Sequence, residues 1–394
     1  MNKIFHHGGL LISTLSVLAL LAACSGGAGA PPTEAPTTAP AAPTAPASGG
    51  AATSAPAAPT AAAAPPQPTS APGATTAPAT QPSAGPAGGG TTAYLDDRST
   101  PEGVILSFYN AINRREYVRA YSYWEPEAAA QNLPPFAEWQ GGYADTGTVQ
   151  VTVWRAASDA GAGQINYGVP VIVTSQQRDG SSLAFGGCYR LHLANPGIQS
   201  EPPFRPRGIR SADLRQVSTP EEAEAAAAEA CGTALQPSTA LVPPDNLPID
   251  AGQYLDDRSS GIGLVRSFYN AINRREYARA YSYWEPETAA QNLPPFAEWQ
   301  GGYTGTGTVE LTTGTEQTGV GAGQIYASVP VTVRAQQADG SSQIFVGCYQ
   351  LHLANPSIQS EPPFRPLGIR SADVRPVAAL ADTNALMQSA CPTQ

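Results

Sequence analysis

The chain has 394 residues, more than one ordinary domain, and a formal net charge of −10. That balance excludes the Lys/Arg-rich face that a nucleic-acid phosphate backbone demands. The tight basic runs Asn113-Arg114-Arg115 and Asn273-Arg274-Arg275 sit where a helix is predicted to end, and cations there complement the helix dipole.

In chain order, a short segment containing Lys3 precedes an apolar run from Leu10 to Leu21, too short to cross a bilayer as a mature helix. Leu21-Ala22-Ala23-Cys24 follows and resembles the lipobox of bacterial lipoproteins. The resemblance implies a signal peptide over 1–23, removed on export, and lipidation of Cys24, with the membrane reached through that anchor. An ordinary cleaved signal with an incidental cysteine, or a buried apolar helix, fits the position, length and small residues less well. Residues 24–93 are almost wholly Ala, Pro, Thr, Gly and Ser, and Glu34 is their only charged residue. Such a composition cannot bury enough apolar surface to offset the entropy of ordering, so it is predicted to be a disordered tether. As a flexible coil it reaches about 45 Å, and fully extended about 200 Å.

Beyond the tether the chain is written twice. Residues 94–231 recur at 254–391, shifted by 160 positions with no insertion or deletion. FYNAINRREY (Phe108 to Tyr117, Phe268 to Tyr277) and AAQNLPPFAEWQGGY (Ala129 to Tyr143, Ala289 to Tyr303) fix the register. The spacing is far longer than a solenoid unit, which points to duplication of a whole domain. The expected organisation is a repeat at 94–232, a linker at 233–253 and a second repeat at 254–394.

Within one copy, Ser99-Thr100-Pro101-Glu102 reads as a helix cap, with Glu102 placed to reach back to it. Val104, Ile105, Phe108, Tyr109 and Ile112 form one helical stripe ending near Arg115. A second short helix carries Tyr117, Ala120, Tyr121 and Trp124 and closes at Glu125-Pro126, and a third turn presents Phe136 and Trp139 before Gly141-Gly142. After Gly147 the period changes to two. Strands are predicted through Val149–Val153, Ile165–Val173, Phe185–Leu193 and Ile209–Val217, with a hairpin at Asp179-Gly180 and a closing helix from Glu221 to Cys231. Pro170 and Pro330 place their strand at an edge or a bulge. Helices first and a meandering antiparallel sheet afterwards give an α+β fold, two cone-shaped domains in tandem.

With Cys24 assigned to the anchor, Cys188, Cys231, Cys348 and Cys391 remain. Four cysteines allow three pairings, and independent folding of the copies favours Cys188 with Cys231 and Cys348 with Cys391. No CxxC or HxxxH pair accompanies them, which argues against zinc, and their wide spacing argues against a redox dithiol. Nothing in the pattern points to a metal or a cofactor.

Ser267 to Tyr281 (SFYNAINRREYARAY), the Phe-x-x-x-x-Gly-Tyr turn at Phe136 to Tyr143 and the strands that follow resemble the nuclear transport factor 2-like superfamily. Ketosteroid isomerase, polyketide cyclases and many envelope lipoproteins share that cone. Its enzymes keep an acid or base and a hydrogen-bond donor inside the mouth of the cone. The titratable candidates here are Glu138 and Glu298, Asp213 and Asp373, and His192 and His352. Each has a plainer reading: a solvated carboxylate for Glu138, a surface ion pair for Asp213, and for His192 a strand face turned away from the core. Asp96-Asp97 reads as favouring the nearby helix N-terminus. The dense aromatics Tyr109, Tyr121, Trp124 and Trp139, with Tyr269, Tyr281, Trp284 and Trp299 in the second copy, either fill the helix-to-sheet core or line a pocket for an apolar or sugar-like ligand.

The expected function is that of an extracytoplasmic, membrane-anchored lipoprotein with a non-catalytic binding or interaction module. Its partner is a cell-wall component, an envelope protein or a small apolar ligand, and the copies are open to packing as an internal pseudo-dimer through their sheets. The alternative is an isomerase- or cyclase-like enzyme acting on a small apolar substrate, with Glu138 or Asp213 as general base.

Overall fold

A computed structural model describes residues 93–238, 249 and 251–392. The expected signal segment, the lipidation site Cys24, the tether up to residue 92 and most of the linker lie outside them. The described chain holds two similar α+β units, each with helices leading into a five-stranded antiparallel sheet.

The first unit runs α1 (Pro101–Asn113), α2 (Tyr117–Tyr121), α3 (Pro126–Asn132), α4 (Phe136–Gly141), β1 (Thr146–Val153), β2 (Ala157–Gly161), β3 (Gln164–Gln177), β4 (Ser182–Ala194), β5 (Gly208–Val217) and α5 (Pro220–Cys231). The second repeats it as α6 (Gly261–Asn273), α7 (Tyr277–Tyr281), α8 (Pro286–Asn292), α9 (Phe296–Gly301), β6 (Thr306–Thr313), β7 (Gln317–Gly321), β8 (Gln324–Gln337), β9 (Ser342–Ala354), β10 (Gly368–Val377) and a shorter α10 (Thr383–Gln388). Each sheet has the order β1-β3-β4-β5 or its equivalent, with β2 or β7 added beside β3 or β8.

Helix α1 forms where its cap and stripe predict. Thr100 Oγ1 accepts from the Gly103 N–H at 2.9 Å, Pro101 occupies the first turn, and Val104, Ile105, Phe108, Tyr109 and Ile112 are all buried against the sheet. Glu102 does not complete the cap. Its carboxylate instead accepts the Ala156 N–H at 2.7 Å. In the second copy the partners are exchanged: Ile262 replaces Glu102, and Glu316, in the place of Ala156, accepts from the Gly261 and Ile262 N–H groups at 3.1 and 3.0 Å. One carboxylate ties helix to loop in either direction.

Two elements differ from the sequence reading. Pro126, expected to close the second helix, instead starts the separate helix α3, because proline at the first position of a helix gives up an N–H that has no partner there anyway. The strand carrying Pro170 is central, not an edge. β1 leaves β3 at Val153↔Val171, β2 joins at Ala157↔Gly168, and Pro170 lies between these two pairings. Its carbonyl accepts from Trp154 N–H at 3.1 Å, so the side of the strand that lacks an N–H faces the gap between the two neighbours.

The even-numbered face of β4 is covered by α5. A Cβ on Gly186 would meet the Ala223 carbonyl at 2.2 Å, so the helix approaches only where the sheet has no side chain. The second copy carries Val346 at that position, and there the closing helix starts later, has six residues and buries none of them. Cys188–Cys231 and Cys348–Cys391 are disulfide-bonded within their own copies, each closing 43 residues. Replacing Cys188 and Cys231 by serine is expected to destabilise the first copy by about 4 kcal/mol through the freed loop entropy. Urea unfolding checks this, and an unchanged midpoint would count against it.

The copies meet through the identical hexapeptides Tyr94-Leu95-Asp96-Asp97-Arg98-Ser99 and Tyr254-Leu255-Asp256-Asp257-Arg258-Ser259. Asp97 and Asp257 face each other in an antiparallel bridge. Arg98 N–H donates to Asp256 O at 2.7 Å and Arg258 N–H to Asp96 O at 2.8 Å. Asp96 N–H donates to Ser259 Oγ and Asp256 N–H to Ser99 Oγ, both at 2.8 Å. Each of these contacts is returned by its mate, the pattern of an isologous interface, while Arg207, 5.2 Å over the Tyr254 ring, has only Leu367 as its mate. No strand of one sheet pairs with a strand of the other.

Candidate functional site

The dense aromatic residues of each copy lie packed on one another. Trp139 is 1% exposed and touches Tyr121, Phe136 and Tyr143 at ring separations of 5.3, 6.3 and 5.1 Å. Tyr109 and Tyr189 hydroxyls satisfy each other at 2.7 Å, as do Tyr269 and Tyr349. Burial pushes the Tyr109 and Tyr143 phenols well above their usual range, so they serve as neutral hydrogen-bonding groups in the core. Tyr281 and Trp299 repeat the packing at 5.3 Å. Trp124 and Trp284 sit just past α2 and α7, and their buried indole N–H groups have no acceptor among the described residues.

The carboxylates lie elsewhere. Glu138 and Glu298 are exposed on α4 and α9, and Asp213 and Asp373 are exposed on β5 and β10. Asp373 holds Arg375 in a bidentate pair at 2.7 and 2.9 Å, while Arg215 pairs with Glu229 and not with Asp213. None of the four stands in an enclosed apolar space of the kind that raises a catalytic carboxyl.

His192, on the even face of β4, is buried and fully engaged. Its Nδ1 meets Glu125 Oε1 at 2.5 Å, its Nε2 meets Gln164 Oε1, and the other Glu125 oxygen takes Arg210 Nε at 2.8 Å. His352, Glu285 and Gln324 repeat the arrangement. With both ring nitrogens occupied, the imidazole has no free lone pair for a metal or a substrate, and it pins the start of α3 to the sheet. Among the described residues no group of His, Cys, Asp and Glu could hold a metal ion.

A cavity of about 370 Å³ on the first sheet is bordered by Asp159, Asn166, Tyr167, Arg190 and Arg210. Of its cations, Arg210 is paired with Glu125 and Arg190 donates to the Ala230 carbonyl at 2.8 Å. The second copy changes this surface: Tyr326 replaces Asn166 and packs on His352 at 5.1 Å, and Gln350 replaces Arg190.

A second cavity, about 260 Å³, opens at the seam between the copies. Asp96, Arg98, Ser122, Phe204 and Pro206 line it together with their repeat mates Asp256, Arg258, Ser282, Phe364 and Pro366. Asp96 is held by Tyr123 and Tyr94 hydroxyls at 2.7 and 3.2 Å, and Asp256 by Tyr283 and Tyr254 at 3.0 and 3.1 Å. Beside it, Asp97 and Asp257 form a carboxylate pair. Burial, reinforced by the Asp97 charge, raises Asp257 to about 7. Burial likewise raises Asp97, against hydrogen bonds from Ser99 and the nearby Arg207. Two like charges this close in a low-dielectric seam do not both ionise readily.

Of these seam residues, the sequence pointed only to Asp96-Asp97, as favouring the nearby helix N-terminus, and to Ser99 in its cap; nothing in it placed them against the second copy. The available signal was the complete identity of the two hexapeptides just before the first helix, a place where a loop would otherwise drift. Comparison with protein-family models, with curated proteins and with solved structures finds no match for this chain.

Proposed function

We propose that the chain is a cell-envelope lipoprotein, anchored through Cys24, whose paired cone-like repeats of the nuclear transport factor 2-like type act as a non-catalytic binding or interaction module. The observation that carries the non-catalytic part is the filling of each cone by its own aromatic residues, with Glu138, Asp213 and their mates left in solvent. The two intramolecular disulfides support an oxidising, extracytoplasmic compartment. The Ala/Pro/Thr-rich stretch supports a tether that carries the module away from the membrane. A cell-wall component, an envelope protein or a small ligand remains the class of partner.

The test has two readouts on the full chain expressed in a bacterium. Mass spectrometry of the membrane fraction should find Cys24 as a diacylglyceryl-modified N-terminus, and Cys24→Ala should move the protein into the soluble fraction. Beads carrying the full chain should capture a defined envelope protein or wall fragment. An unmodified Cys24 in a soluble protein would overturn the anchor, and failure to capture either would overturn a macromolecular partner.

A further inference from the structure

We infer that the seam cavity is a binding site for one small organic anion per chain, held by the guanidinium groups of Arg98 and Arg258 against the apolar walls of Phe204 and Phe364. The inference rests on the reading of the chain as a binding module and names the chemical class of its ligand.

Symmetry is the first argument. Each lining residue has its repeat mate on the opposite wall, so the cavity straddles the relation that exchanges the copies. It exists only in the tandem and occurs once per chain.

Charge is the second. Arg98 is half-buried and has no carboxylate within ion-pair distance among the described residues. Its Nη1 and Nη2 donate to the carbonyls of Arg207 and Ser122, both at 3.0 Å, and its guanidinium lies 4.4 Å over the Tyr123 ring. Arg258 is held in the same way, by Leu367 and Ser282 carbonyls and 4.6 Å over Tyr283. A guanidinium has five N–H donors, so each of these fixed cations keeps donors free. Carbonyls and a tyrosine face orient the head without neutralising it, which leaves room for an anion.

The acidic neighbours are buried and turned to other partners. Asp96 and Asp256 are each 2% exposed, and both oxygens of each are taken by tyrosine hydroxyls. The cavity thus presents the two arginines and the hydroxyls of Ser122 and Ser282 beside the apolar walls, with Asp96 and Asp256 turned to their tyrosines. Its 260 Å³ falls below the usual range for drug-sized ligands, which suits a single ring carrying a carboxylate or a phosphate.

Calorimetry on the full chain in detergent tests the site with benzoate, phenyl phosphate, inorganic phosphate and the neutral benzyl alcohol. Benzoate or phenyl phosphate should bind once per chain, and benzyl alcohol should not bind. Arg98→Gln and Arg258→Gln should each weaken binding by at least about tenfold, as expected for loss of a charged hydrogen bond. Both arginines also brace the seam, so Phe204→Ala with Phe364→Ala supplies an independent variant. It should weaken the two aromatic anions and leave inorganic phosphate unchanged. Absence of binding by all three anions at millimolar concentration, or binding that persists in R98Q/R258Q, overturns the site. If the anions fail while beads carrying the full chain still capture an envelope partner, the seam site alone falls. If the anions bind and capture fails, the site stands and the macromolecular partner falls.

Discussion

Replacing Arg119 by leucine is expected to destabilise the first repeat by about 3–5 kcal/mol, the range for stripping one partner from a buried ion pair. Arg119 is 0% exposed and Glu116 is 2% exposed. Its Nε and Nη2 meet Glu116 Oε2 at 2.7 and 2.6 Å, Nη2 also reaches Asn110 Oδ1 at 2.8 Å, and Nη1 donates to the Leu95 carbonyl at 2.5 Å. The Tyr94 ring lies 4.5 Å from the guanidinium carbon. Loss of the cation therefore strands Glu116 with Arg114 alone, at 2.8 Å, and releases the backbone of the seam hexapeptide. Helix packing and repeat pairing are linked through this one side chain. The melting temperature of the variant should fall by roughly 10 °C or more. Glu116→Leu added to Arg119→Leu should recover part of the loss, because removing both ions is far less harmful than leaving one. Equal melting temperatures for the wild type and Arg119→Leu would refute this account. Arg279 and Glu276 repeat the pair in the second copy at 2.6 Å.

The contrast between what was legible in the sequence and what was not follows from the range of each interaction. The stripe of α1, the Asp179-Gly180 hairpin and the alternation of β4 are local signals, and the chain forms them as read. Cysteine pairing was legible because the duplication itself restricts the choice. Strand β2 was missed because all five of its residues are exposed, leaving no alternation to see. Glu102 carried the right residue for a capping box but found a stronger use 54 positions away, at Ala156 N–H, which no local pattern encodes. The interior of the cone was ambiguous for a related reason: the same tyrosines and tryptophans suit a filled core and an open pocket. Only packing distances separate the two. The seam is the extreme case, since Asp97 and Asp257 are 160 positions apart and meet only when both copies are folded.

That meeting makes stability dependent on pH. Asp257, ordinarily ionising near 3.8, is raised to about 7 by burial first and by the charges of Asp97 and Asp96 next. Asp97 is raised as well, with Asp256 pushing it up and Arg207 opposing. A carboxyl whose folded-state pKa lies above its unfolded value holds its proton more tightly in the fold. Its contribution is full below about 4 and is lost as pH rises towards 7, so the seam is firmest in acid and weakens on the way to neutrality. The proton affinity involved corresponds to on the order of 4 kcal/mol across that window, shared between the two carboxyls. Asp257→Asn isolates the seam. The amide keeps the acceptor oxygen that Ser259 N–H uses at 2.8 Å and cannot ionise. Unfolding free energies measured between pH 5 and 8 should decline less steeply for Asp257→Asn than for the wild type, and the variant should be the more stable of the two at pH 8. Parallel declines in both proteins would show that the carboxylate pair does not control the seam.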